Sequence, residues 1–143
     1  MFVLDLSVEK WVGPLDEGHL IDNPTWQQIE SAICELDGKT KTLVTLGADE
    51  ETYMTIGGGE GGKYIVSVTF DNIDFYNSVD RSLGSKMEKL VVGGQLGNYP
   101  AKISVDLQTA LLAAQTFARS GELEESVTWE NSESLSNRTK LIA

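Results

Sequence analysis

Tyr64-Ile65-Val66-Ser67-Val68-Thr69-Phe70 follows directly on Gly57-Gly58-Gly59-Glu60-Gly61-Gly62-Lys63. No other junction in the chain constrains its fold as much. As strings, the glycines satisfy two nucleotide signatures. Gly57, Gly59 and Gly62 fit G-x-G-x-x-G; Gly57, Gly62 and Lys63 fit most of G-x-x-x-x-G-K-[ST]. A phosphate loop works because a helix starts right after it, so that free N–H groups and the helix dipole meet the anion. Here the following residues alternate and are β-branched, which makes a strand. Tyr64 stands where a Ser or Thr would hold magnesium, and Glu60 would repel a phosphate. The run therefore reads as a wide hairpin connection, with glycine supplying positive φ and close backbone approach.

The flanking sequence fits that reading. Thr42–Leu46 and Thr52–Ile56 are strand-like and are separated by the acidic turn Asp49-Glu50-Glu51. Within Lys63–Phe70, Tyr64, Val66, Val68 and Phe70 share one face, and Ile65, Ser67 and Thr69 the other. Asp74–Val79, Glu88–Val92 and Val127–Trp129 read as further strands, and Phe2–Ser7 as a first one. Residues 8–22 and 80–85 read as loop and turn.

Two helices interrupt this pattern. Asn23-Pro24 suggests an N-cap and first helical residue, followed by a stripe of Trp26, Ile29, Ile33 and Leu36 and a stop at Asp37-Gly38. A second helix spans about Asp106 to Ser120, with Leu107, Leu111, Ala114, Phe117 and Ala118 inward and Gly121 closing it. Trp26 and Trp129 fall in apolar periodic patterns and are expected in the core. Strands joined by tight turns pair antiparallel. The expected class is α+β: a mostly antiparallel sheet of about five to seven strands with two helices packed on it. Length fits one domain, expected over residues 1–130, with 131–143 as a flexible Ser/Asn/Glu-rich tail. Asn137-Arg138-Thr139 matches a glycosylation string that a cytosolic chain would not use.

Composition narrows function mainly by exclusion. Cys34 and His19 are the lone cysteine and histidine, which excludes an internal disulfide and a Cys-based metal site. No catalytic constellation stands out, and neither a cofactor nor a metal is expected. Asp71 and Asp74 flank a turn but lack calcium-loop spacing. The net charge of −11 argues against direct binding of nucleic acid or anionic membranes, and favours a basic protein partner. The first residues lack a signal-peptide pattern, so a cytoplasmic location is expected.

Three blocks occur in a familiar order: "NPTWQQIESAICELDGKTKTLVTL", "YMTIGGGEGGKYIVSVTF" and "VDLQTALLAAQTFARSGELEESVTWE". Together they resemble the first-numbered immunity-protein family of bacterial polymorphic toxin systems, over roughly residues 20 to 130. The resemblance implies a non-enzymatic inhibitor of a cognate toxin domain, often a nuclease or nucleic-acid deaminase with a basic cleft. An acidic surface suits such a cleft. Candidate contact residues follow from type and place: Asp49, Glu50 and Glu51, Glu60, and Asp71 and Asp74. Tyr76, with Tyr53 and Tyr99, could supply aromatic anchors. Two other readings stay open. One is a small nucleotide-binding enzyme using the 57–63 glycine loop; the other is a structural or adaptor module.

Overall fold

The computed structural model describes residues 1–132. In chain order its elements are β1 (Asp5–Val8), β2 (Trp11–Val12), β3 (Leu15–Asp16), β4 (His19–Asp22), α1 (Trp26–Cys34), β5 (Leu43–Gly47), β6 (Tyr53–Gly58), β7 (Tyr64–Thr69), β8 (Phe75–Val79), β9 (Met87–Val92), β10 (Gln95–Pro100), β11 (Ser104–Val105), α2 (Leu107–Ser120) and β12 (Thr128–Asn131). The short turns leave no room for crossovers, and β5 to β8 pair antiparallel in sequence order. The full sheet runs β12-β8-β7-β6-β5-β1-β4, with β11 also on β7, making eight strands. The fold is α+β, mostly antiparallel sheet with two helices.

Both helices lie on one face. Leu6, Val8, Val44, Leu46, Met54, Ile56, Tyr64, Val66 and Val68 point to that face and pack with Ile29 and Ile33 of α1 and Ala114 and Phe117 of α2. The alternation expected for β7 is therefore observed. Trp26 and Trp129 pack half-buried on this core rather than inside it. The Trp129 indole N–H donates to the Glu124 carbonyl at 3.1 Å. A smaller cluster of Ile65, Val79, Leu90 and Ile103 lies under the β9–β10 hairpin on the opposite face.

Several boundaries depart from the sequence expectations. The cap of α1 is Thr25, not Asn23: Gln28 N–H donates to Thr25 Oγ1 (3.2 Å) and Thr25 N–H to Gln28 Oε1 (2.9 Å), a reciprocal capping box. Asn23 instead has a φ of +49° in the turn out of β4. The helix stops at Cys34, before Asp37-Gly38, whose Asp37 carboxylate caps the next turn through Lys39, Thr40 and Lys41 N–H. The α2 limits match, with Asp106 as cap and Gly121 N–H bonded to the Phe117 carbonyl.

Residues 8–22 are not a loop, for they hold the β2–β3 hairpin and the edge strand β4. Only Ile21 of β4 reaches the core, so the segment lacks a clear apolar alternation. Likewise Gly93-Gly94 is the two-residue turn of a hairpin whose second strand, Gln95–Pro100, is polar and largely exposed. Of these only β4 joins the large sheet, which with β11 reaches eight strands against the expected five to seven. Phe2 lies before β1 and packs edge-on against Phe117. Asn131 ends β12 and so belongs to the sheet. Residues 133–143 of the expected tail, including the 137–139 string, lie outside the described residues. Among the described residues no helix is long and apolar enough to cross a membrane.

Candidate partner-binding surface

Antiparallel pairing sorts the turns into two ends. Tyr53 pairs with Thr69, so the β5–β6 turn and the β7–β8 turn lie side by side. Thr52 Oγ1 donates to the Phe70 carbonyl at 3.2 Å, and Tyr53 Oη to Asn72 Oδ1 at 2.7 Å. Asp49, Glu50, Glu51, Asp71 and Asp74 are thereby brought together. Asp5 and Asp22, which the sequence reading missed, extend this end: Asp5 pairs with Asp22 on one side and with Gly47 on the other. Only the strand pairing reveals them, because β4 was not read as a strand.

Both turns hold their shape through carboxylates. Asp49 Oδ1 accepts from Glu51 and Thr52 N–H, each at 2.8 Å. Asp71 Oδ1 accepts from Asp74 N–H at 2.8 Å and Ile73 N–H at 2.9 Å. Those backbone donors, Asp74 first, hold the Asp71 carboxyl below the ordinary value of 3.8. Thr69 Oγ1 accepts from Asn72 N–H (2.9 Å) and donates to the Asp74 carbonyl (2.8 Å). At the apex Ile73 is 79% exposed.

The aromatic candidates divide. Tyr53 stands edge-on to Phe75, and Tyr76 is half-buried on the helix side with its ring 6.3 Å from Phe70. Both are at the acidic end. Tyr99 is not; it packs on the Ile65–Leu90 cluster under the second hairpin. Glu60 also lies apart, on the 3-10 turn Glu60–Gly62 that joins β6 to β7 at the opposite end.

The opposite end carries much of the positive charge. Lys41 pairs with Glu35, Lys63 with Glu88, and Arg81 and Lys102 with Glu130. None of these pairs uses an acid of the Asp49 or Asp71 turns. A cleft of about 540 Å³ there is lined by Gly61, Gly62, Lys63, Arg81 and the start of α2. It is poorly suited to phosphate. Asp80, Glu88 and the α2 cap Asp106 line it too, and Asp106 already accepts from Thr109 N–H at 2.8 Å. The glycine run enters a strand, with Gly58 paired to Tyr64. Among the described residues no three His, Cys, Asp or Glu side chains gather to hold a metal.

The model of the family described as Immunity protein Imm1 matches residues 17–131, a span that takes in both helices and the strands from β4 to β12. No curated protein matches the chain.

Proposed function

The chain belongs to the Imm1 family of immunity proteins, and on that premise we propose that it binds the catalytic domain of one cognate bacterial toxin and silences it by covering the substrate cleft. Family membership carries a toxin-immunity role and, in general, a cognate toxin partner. The finer reading concerns the surface and the target. One observation supports it above the others: five acids from two separate turns converge at one end of the sheet, away from the ion-paired cations at the other. The toxin is a nuclease or nucleic-acid deaminase, whose cleft is basic because its substrate is anionic. Asp49, Glu50, Glu51, Asp71 and Asp74 lead the encounter, with Tyr53 and Tyr76 behind them. Opposite potentials raise the rate of capture and disfavour wrong partners. The protein acts in the cytoplasm as one folded unit, without catalysis, cofactor or metal of its own.

Co-expression tests this reading. Cells making the toxin domain of the adjacent gene are expected to survive only when this chain is made with it. The two proteins are expected to co-purify, and the purified toxin to lose activity at a one-to-one ratio. Equal killing with and without the chain would overturn the reading.

A further inference from the structure

We propose that Ile73 is an apolar anchor, backed by Phe70, that inserts into a shallow apolar socket rimmed by Lys and Arg on the toxin. The proposal rests on the toxin-binding reading and adds to it what holds the complex once charge has steered it. Among the described residues Ile73 has the highest exposure of the large apolar side chains, at 79%, and it belongs to neither hydrophobic cluster. A branched apolar side chain at a turn apex gives nothing to folding, because it is as wet in the native chain as in the unfolded one.

Two further exposed apolar side chains lie at the same end of the sheet. Phe70, three residues earlier, is 40% exposed, and its ring rests 6.4 Å from that of Phe117, a fully buried core residue. Phe2, 37% exposed, leans on the same Phe117 from 5.6 Å. Apolar patches with polar rims mark protein contacts. Acids dominate the rim: the Asp49–Glu51 and Asp71–Asp74 turns contain five carboxylates and neither Lys nor Arg, against the single cation Arg119 beside Phe2. A second copy of this chain, an anionic membrane and nucleic acid would all meet like charge. A basic protein surface would not.

The turn also holds Ile73 ready. Its own N–H is bonded to Asp71 Oδ1, and the flanking Asn72 is tied through Thr69 Oγ1 and Tyr53 Oη. A turn whose backbone is fixed before binding loses little freedom on docking. An apolar anchor should slow dissociation, whereas the acids should speed association.

The test measures association and dissociation rates of the full chain with the toxin domain of the adjacent gene. Ile73→Ala is expected to dissociate at least about tenfold faster, with association within about twofold of wild type, as for a central interface anchor. Ile73→Asp adds one negative charge and loses the socket contact, so it should dissociate faster still. Neither should lower the melting temperature, which separates lost binding from lost folding. Wild-type dissociation in both variants would overturn the proposal and leave the toxin-binding reading standing. Failure of the wild-type chain to bind would overturn both. Dimerisation of the chain alone, abolished by Ile73→Asp, would assign the patch to self-association and overturn the proposal.

Discussion

Strand β7 is entered through glycines and left through acids, and the two turns follow opposite logic. At the glycine end the residues are dictated by neighbours. A Cβ on Gly59, whose φ is +106°, would stand 2.5 Å from the Leu36 carbonyl oxygen, and one on Gly57 would collide with Val92. The backbone of the run is pressed between the end of α1 and the second hairpin. At the acidic end only part of the sequence answers to the fold. Asp71 and Thr69 close the turn, but Glu50, Glu51 and Ile73 are exposed, and among the described residues their side chains take part in no hydrogen bond or ion pair. The lesson is that packing alone can account for a conspicuous motif, while a plain turn carries exposed residues that its packing does not account for.

The largest effect should come from breaking the glycine end. Gly59→Ala combines a side chain at positive φ with overlap on a backbone carbonyl, and is expected to cost about 2–4 kcal/mol of stability. Gly61→Ala also has a positive φ, but at +67° in the ordinary left-handed region and with open space around it, and should cost only about 1 kcal/mol. Urea denaturation of both variants checks the difference. Folded protein of either variant should capture the toxin as wild type does. A binding defect in stably folded Gly61→Ala would move the interface to the glycine end.

Charge reversal comes next. Glu50→Lys with Glu51→Lys should slow association about tenfold at low salt, equivalent to about 1.4 kcal/mol. Glu60→Lys, an equal charge change per site at the other end, should leave the rate nearly unchanged. The gap between these variants should shrink toward 1 M salt, where the Debye length falls to about 3 Å. Equal slowing by Glu60→Lys would show that net charge matters and position does not.

A smaller effect is expected from the cap of α2, at the glycine end. Asp106→Ala removes the bond to Thr109 N–H and should cost about 1 kcal/mol. Its thermal melting should shift while its toxin association and dissociation rates hold.

How far the sequence reaches follows from what each feature needs. The β7 alternation and the Asp106–Gly121 helix are local periodicities with their caps, and both are found as expected. The Thr25–Gln28 capping box was also legible, but Asn23-Pro24 masked it. Strand β4 was not legible, because an edge strand with only Ile21 inward has no alternation to read. The candidate surface depends on register. The sequence names Asp49, Glu50, Glu51, Asp71 and Asp74 separately, but only the Tyr53–Thr69 pairing brings them together and sends Glu60 away. Asp5 and Asp22 join that end through β4, so missing the strand meant missing them.

The last prediction separates the two ends by pH. Asp71 at the acidic end and Asp37 at the glycine end both cap turns and both titrate below 3.8. For Asp71 the backbone N–H of Asp74 and Ile73 lowers the value. For Asp37 burial pushes upward, but the N–H groups of Lys39, Lys41 and Thr40 outweigh it. In each case the folded value lies under the unfolded one. The carboxylate therefore contributes stability that is fully present above the unfolded value. As pH falls, the unfolded chain takes up the proton first, and the contribution is lost through the folded value. Asp71→Asn and Asp37→Asn should each be less stable than wild type at pH 7, with a gap that closes as urea denaturation is repeated below pH 3.8. A gap unchanged at the acid limit would mean that the carboxylate charge contributes nothing. Stability alone makes the two sites look alike, and binding at pH 7 tells them apart. Asp71→Asn weakens the bond that fixes Ile73 N–H, so the toxin should dissociate several-fold faster. Asp37→Asn should leave that rate unchanged.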